Sequence, residues 1–358
     1  MVKVSNWVYF LGFSLLAANA VAGDAVKDPY LGEPYVSRSF DTEPVAQFPS
    51  FHATIVEYPF GSSATADSAT TTAEPKASVL YIHGFNDYYF QREMAEKADS
   101  AGYAFYAVDL HNYGRSLREG DRIGEVHNIA EYYPELDSCV AQMKRQHPEA
   151  PIAIIGHSTG GLVATMYADA REKGKDFSAV VLNSPFLEMN YEFLTRELII
   201  PGISVLGQFF PCFGVPRGEN TNYAESLLKQ YRGEWEFDTT IKTINSIPVN
   251  FAWVRAIHKA HAFVQKGLDL DTPILVMHSN CSIDQDEWVD EYTRCDGVLN
   301  VEDIKRYGAR LGSQITMAEI PGALHDIVLS KKPVRDNAYN IIFNFLDETL
   351  PASTMAAE

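Results

Sequence analysis

Ile152-Ala153-Ile154-Ile155-Gly156-His157-Ser158-Thr159-Gly160-Gly161 is the stretch that decides the architecture. An apolar run of strand length ends in Gly-x-Ser-x-Gly, and a helical stretch to Asp169 follows. Strand, sharp turn and helix form the setting in which a serine hydroxyl is lifted clear of a sheet as a nucleophile. The glycines have a physical reason, because such a turn forces strained backbone angles and a close approach of strand to helix that a Cβ would block. The turn also puts the Thr159 amide at a helix N-terminus, where a donor with no carbonyl one turn earlier can meet developing negative charge. Ser158 is therefore the expected nucleophile and the Thr159 amide an expected oxyanion donor.

Outward from this turn, apolar or β-branched runs at 79–82, 105–108, 152–155, 180–182, 274–277 and 315–320 alternate with helical stretches near 89–101, 127–147, 159–172 and 333–348. The alternation predicts an α/β fold with a mostly parallel central sheet and helices on both faces. Residues 51–58 read as an earlier strand. Ligands of such a sheet bind at the carboxyl ends of its strands, so the loop His83-Gly84-Phe85-Asn86-Asp87, after the run 79–82, should face the serine turn. The Phe85 amide is the expected second oxyanion donor, and His83 is expected to be a buried structural histidine rather than a reacting group.

With these two loops and Asp109-Leu110-His111-Asn112-Tyr113-Gly114-Arg115-Ser116, the chain from about residue 50 onward resembles the α/β-hydrolases of the monoacylglycerol lipase, lysophospholipase and serine aminopeptidase group. That group often carries Asp-x-x-Gly-x-Gly-x-Ser at the third segment. This chain departs from it at Asn112 and Tyr113, and the segment is expected to support the site rather than react. The resemblance implies an α/β-hydrolase fold with an inserted cap and a Ser-His-Asp triad. Its histidine matches His325 in Pro321-Gly322-Ala323-Leu324-His325-Asp326, a loop after the final strand. A neutral imidazole suits the role because its ordinary pKa lies near working pH, so it can take the serine proton and return it. The group carries its acid a few residues beyond the strand at 274–277. Here a longer polar insertion follows His278-Ser279, and Asp296-Gly297-Val298-Leu299 resembles the displaced acid segment. Asp296 is the expected acid, with Asp284 as the leading alternative and Asp286 or Asp290 behind it; the plain reading of those three is solvated loop charge. His258 and His261 share a helix face but lack a third ligand, so they are read as a solvated face and no metal is expected.

The first 22 residues read as a secretory signal peptide: Lys3 supplies the positive end, an apolar stretch covers 7–18, and small residues follow at Ala18, Ala20 and Ala22. The apolar stretch is shorter than a bilayer-spanning helix, which argues against a membrane anchor. The first part of the hydrolase core spans 23–186, opening on an extended arm over 23–50 rich in Pro, Asp and Glu, with a solvated Ser/Thr/Ala/Gly loop over 61–75. A cap occupies 187–262, carrying Leu198, Ile199, Ile200, Phe209, Phe210, Phe213, Trp235 and Trp253. Pro201, Gly202, Gly207 and Pro211 break its most apolar part. The second part of the core spans 263–358.

Export, periplasmic or beyond the cell, would let cysteines pair. Cys281 and Cys295 lie close together in one polar loop and are the expected bridge, which would order the chain beside Asp296. Cys139, in a predicted helix, reads as a small buried hydrophobe. A composition of 46% hydrophobic and 21% charged residues suffices for a sizeable core, and a net charge of -18 excludes a nucleic-acid partner in the absence of a basic patch.

The reading that results is an exported serine hydrolase cleaving carboxylic esters through an acyl-enzyme, with no cofactor. The cap suggests a small-molecule or lipid ester with a hydrophobic acyl group and transient contact with a membrane surface. A peptidase or amidase is the alternative on the same triad, and a non-catalytic ligand-binding protein is the alternative of another class.

Overall fold

The structure is a computed structural model that describes residues 23–45, 47–63, 74–171, 177–215 and 220–350. The signal-peptide reading of residues 1–22 and most of the 61–75 loop lie outside the described residues. A nine-stranded sheet in the order β1-β2-β3-β5-β4-β6-β7-β10-β11 runs through the molecule. Its strands are β1 (Val26–Lys27), β2 (Val36–Asp41), β3 (His52–Tyr58), β4 (Ser78–Ile82), β5 (Ala104–Asp109), β6 (Ile152–His157), β7 (Ala179–Asn183), β10 (Ile274–Ser279) and β11 (Ile315–Ile320). From β5 to β11 every pairing is parallel, whereas β1, β2 and β3 pair antiparallel and β3 joins β5 antiparallel.

Every residue of β4, β5, β6, β7 and β10 is buried. Helices cover both faces of these strands, so they read as continuous apolar runs instead of alternating ones. The helices are α1 (Arg92–Ser100), α2 (Tyr133–Gln146), α3 (Thr159–Arg171), α7 (Val301–Gly308) and α8 (Lys332–Thr349). Asn128 and Asn300 accept backbone N–H groups at the entrances to the turn before α2 and to α7, the usual work of an N-terminal Asn.

The arm expected over 23–50 is corrected: β1 and β2 extend the sheet by two antiparallel strands. Polar Ser37, Arg38, Ser39 and Asp41 hide the strand pattern of β2, yet Phe40 is buried and the chain is pinned from within. Asp28 accepts two hydrogen bonds from Arg115, at 2.6 and 2.7 Å, and Arg115 also donates to Asp109 at 2.8 Å.

Between β7 and β10 the chain forms a π-helical turn (Thr195–Ile199), α4 (Ile200–Leu206), β8 (Gly214–Val215), α5 (Asn222–Leu227), β9 (Val249–Asn250) and α6 (Phe251–Val264). Helix α6 packs on α4 and buries Trp253, Val254, Ile257 and Val264 in the main core. Farther out the apolar side chains face solvent: Phe193, Leu194, Leu198, Phe209, Phe210 and Phe213 are each more than 60% exposed. Among the described residues, no helix is long and apolar enough to cross a membrane.

The chain steps from β4 to β5 on one side and then returns to β6 on the other. The strand order therefore reverses between β4 and β6, where an open parallel sheet forms a crevice at its carboxyl ends. The loop 83–88 and the turn at Ser158 border that crevice.

Candidate active site

β6 ends at His157 and α3 begins at Thr159, so Ser158 alone makes the turn, with φ at +52°. A non-glycine residue in this left-handed region is strained, and such strain persists only where neighbours over-determine it. Here the Ser158 amide donates to the Asn183 carbonyl at 3.0 Å, and the Ser158 carbonyl accepts from Gly161 and Phe186, both at 2.9 Å. A Cβ on Gly160 would collide with the Ile82 and His83 carbonyl oxygens, and one on Gly156 with Gly160. The Gly-x-Ser-x-Gly spacing is thus a packing requirement at this site.

Ser158, His325 and Asp296 are brought together although far apart in the chain. Ser158 Oγ lies 2.9 Å from His325 Nε2, and His325 Nδ1 lies 2.9 Å from Asp296 Oδ2. With Nδ1–H donating to the carboxylate, Nε2 is left as an acceptor for the hydroxyl proton. Asp296 is fully buried, and its other oxygen accepts the amides of Val298 at 2.9 Å and Leu299 at 2.8 Å. Its backbone is tied down as well, because the Asp296 amide donates to the Cys281 carbonyl at 2.9 Å and Cys281 is joined to Cys295 by a disulfide. The His325 loop hangs on two serines: Ser279 donates to the Ala323 carbonyl at 2.7 Å, and Ser330 accepts the Leu324 amide at 2.9 Å.

The loop after β4 packs on the serine turn so closely that a Cβ on Gly84 would lie 3.2 Å from Ser158 Cβ, which sets the Gly84–Phe85 peptide beside the serine. His83 braces this loop: its Nε2 accepts the Leu110 amide at 3.1 Å and its Nδ1–H donates to the Gly84 carbonyl at 2.7 Å. Thr159 opens α3 on the other side of Ser158, where first-turn amides lack intrahelical partners. The segment 109–116 stands behind both, with Asp109 accepting the amides of Tyr89 and Arg115, each at 2.9 Å.

Beneath the imidazole lies a polar floor that the sequence reading did not single out. Asn183, at the end of β7, donates to Asp326 at 2.7 Å and accepts the Ile327 amide at 3.1 Å, while its carbonyl holds Ser158 and the His157 ring. Lys242 Nζ reaches Asp87 at 2.7 Å, and Tyr223 stands edge-on to the His325 ring at 5.6 Å. Burial pushes the Asp326 carboxyl above its usual range, against the hydrogen bond from Asn183, and drives the His157 imidazole down to about 3. His157 is therefore neutral near pH 7, with Nδ1–H donating to the Asn183 carbonyl at 3.2 Å. The ligand atoms of Asp87, His157 and Asp326 lie within 4.8 Å of one another, the one such cluster among the described residues, and Lys242 supplies positive charge to it. The adjacency of Asp326 to His325 and of Asp87 to the His83-Gly84 loop was the available signal for this floor.

Asp284, Asp286 and Asp290 lie exposed on the insertion, whereas the His325 imidazole is buried and pairs with Asp296. The solvated face expected for His258 and His261 is corrected for His261, which is buried, donates through Nε2 to the Phe186 carbonyl at 2.9 Å and meets the Phe186 ring edge-on. Burial lowers its pKa to about 3. The cause is α6 turning that face toward the core. Cys139 is buried and free in α2.

The sheet, the turn at Ser158 and the loops around it define an α/β-hydrolase. The sequence profile described as serine aminopeptidase, S33, matches residues 73–332, and the chain belongs to that family. The chain is 26% identical over 216 residues to the monoacylglycerol lipase of Mycolicibacterium smegmatis, covering 60% of this chain and 73% of that protein. It is 23% identical over 278 residues to the phospholipase YtpA of Bacillus subtilis, covering 76% and 96%. Among solved structures, a soluble variant of monoglyceride lipase from Saccharomyces cerevisiae in complex with a substrate analogue superposes with a TM-score of 0.62 at 17% identity, covering 84% of this chain and 92% of that one. At that identity the likeness is one of fold.

Proposed function

We propose that the protein is a serine hydrolase that cleaves carboxylic esters with a hydrophobic acyl group. The observation that carries the reading is the chain of two 2.9 Å contacts from Asp296 through His325 to Ser158. His325 takes the hydroxyl proton as Ser158 Oγ attacks the ester carbonyl, and the amides of Phe85 and Thr159 receive the oxyanion. Asp296 holds the imidazole in the required tautomer and stabilises its protonated form. The imidazolium gives its proton to the leaving alcohol, and water, activated by the same imidazole, releases the acid.

The lipid character of the substrate is supported by the names of the relatives, a monoacylglycerol lipase and a phospholipase, and by the apolar side chains exposed between β7 and β10. Those side chains are the surface we assign to transient contact with a lipid aggregate. The export reading is supported by the signal-like first 22 residues and by the disulfide, which an oxidising compartment preserves. Cleavage of peptide or amide bonds is the second reading, favoured by the description of the family itself.

The test is a panel of short-acyl esters, long-acyl esters and aminoacyl amides, run with fluorophosphonate labelling. The wild type is expected to label and to prefer esters, with Ser158→Ala and His325→Ala losing about 10⁴-fold or more in kcat. Preference for the amides would install the second reading, and absence of both labelling and turnover would leave a ligand-binding protein.

A further inference from the structure

The cap segment grips the loop next to the serine. Lys242 is buried, with its ammonium 2.7 Å from Asp87 Oδ1 and facing the rings of Phe90 and Phe237, at 5.6 and 5.7 Å. One residue on, the Thr243 amide donates to Asn86 Oδ1 at 3.1 Å, and Asn86 Nδ2 donates back to the Thr243 carbonyl at 2.8 Å. Asn86 itself has φ at +52°, a conformation that needs such support. These contacts hold the two residues that follow Phe85, the assigned oxyanion donor.

Lysine is an expensive choice for this position. Removing an ammonium from water is costly and is repaid only by close pairing. A plain structural contact between two loops would be made more cheaply by apolar side chains. What the position does require is positive charge, since Asp87 and Asp326 are both buried, and among the described residues the second oxygen of Asp87 has no hydrogen-bond partner.

We propose that Lys242 is a positioning residue for the hydrolytic reaction: by pairing with Asp87 it fixes the loop that carries the Phe85 amide and balances the negative charge beneath the catalytic imidazole. The proposal rests on the roles given above to Ser158, His325 and Phe85. The groups that face His325 are Asp296 from the loop after β10, Ser158 and His157 from the serine turn, Tyr223 from α5, and its own neighbour Asp326. Asp87 and Lys242 act from behind His157.

The sign of each perturbation follows. Without Lys242 the Asp87 carboxylate is uncompensated and favours a protonated His325, so the acid limb of the kcat/KM profile moves to higher pH. With Asp87 made neutral, Lys242 is uncompensated and the limb moves to lower pH. A contact that merely holds the fold together has no reason to move the two limbs in opposite directions.

The experiment compares the full chain with Lys242→Met, Asp87→Asn and the double variant on p-nitrophenyl butyrate from pH 5 to 9. Lys242→Met is expected to lose about 100-fold in kcat, the scale of an ångström misplacement at a reacting centre, with KM changed by less than about threefold. The double variant, which leaves neither member of the Lys242–Asp87 pair as a lone charge, is expected to regain about tenfold of that loss. The proposal is overturned if Lys242→Met keeps kcat within about threefold of wild type, or if the two limbs move together or not at all. Should Lys242→Met fail to fold, Asp87→Asn decides alone: its acid limb must fall, and an unmoved limb overturns the proposal. Fluorophosphonate labelling of the wild type, lost in Ser158→Ala, tests the underlying triad separately.

Discussion

Two parts of the molecule invert the usual distribution of side chains. Beneath Ser158 the chain buries Asp87, His157, Lys242 and Asp326, all less than 10% exposed. On the outer lip of the segment between β7 and β10 it leaves Phe193, Phe209, Phe210 and Phe213 more than 60% exposed. A chain shaped for stability alone would do the reverse, because buried charge costs several kcal/mol unless paired, while burying a phenylalanine contributes about 1.5–3 kcal/mol. The floor is tolerated because its groups hold one another in place around the imidazole. The lip fits the lipid-surface contact proposed above, in which its exposed apolar side chains would meet a surface other than water. One region fixes geometry and the other leaves contact open, so substitutions in them should separate turnover from association.

The sharpest break would come at the acid. Asp296→Asn should lower kcat by about 10³- to 10⁴-fold, since the amide disfavours the tautomer that leaves Nε2 free to accept. Asp284→Asn, on the exposed insertion, should change it by less than about twofold. The reverse outcome in steady-state rates would remove Asp296 from the site.

Next in size is Asn183→Ala, which strips the donor to Asp326 and the acceptor of the Ile327 amide in a dry interior. A loss of about 2–4 kcal/mol in denaturant unfolding is expected, because the buried Asp326 carboxyl loses one of its donors and the Ile327 amide loses its acceptor. A loss below about 0.5 kcal/mol would mean the floor is less tightly built than its distances imply.

The smallest effect on chemistry belongs to the lip. Phe209→Ser, Phe210→Ser and Phe213→Ser together should leave turnover of a water-soluble ester within about twofold, since none of the three is buried. Binding to phosphatidylcholine vesicles should weaken at least about tenfold in a sedimentation assay. Equal vesicle binding by the triple variant would detach the lip from any role at a lipid surface.

Most of what could be read in advance lay where one element alone dictates residue type. Strands β4, β6, β7 and β10 are buried on both faces and so spell uninterrupted apolar runs, and the turn at Ser158 admits only glycine at Gly156 and Gly160. β2 escaped because it is an outlying strand whose Ser, Arg and Asp residues need not face a core. The polar floor escaped for a different reason: Asp87, His157, Asn183, Lys242 and Asp326 come from five separate segments, and no local pattern announces that they meet. His261 was misplaced because a lone histidine on a helix looks the same whether its partner is water or the carbonyl of Phe186.

Asn183 is bonded at both ends, its carbonyl to the Ser158 amide and its side chain to the segment that follows His325. Ser158 and the His325 loop therefore ride on a common strut at the end of β7. A shared attachment of this kind couples the placement of the two loops, so a substitution that shifts the end of β7 is expected to displace Ser158 and the segment after His325 together.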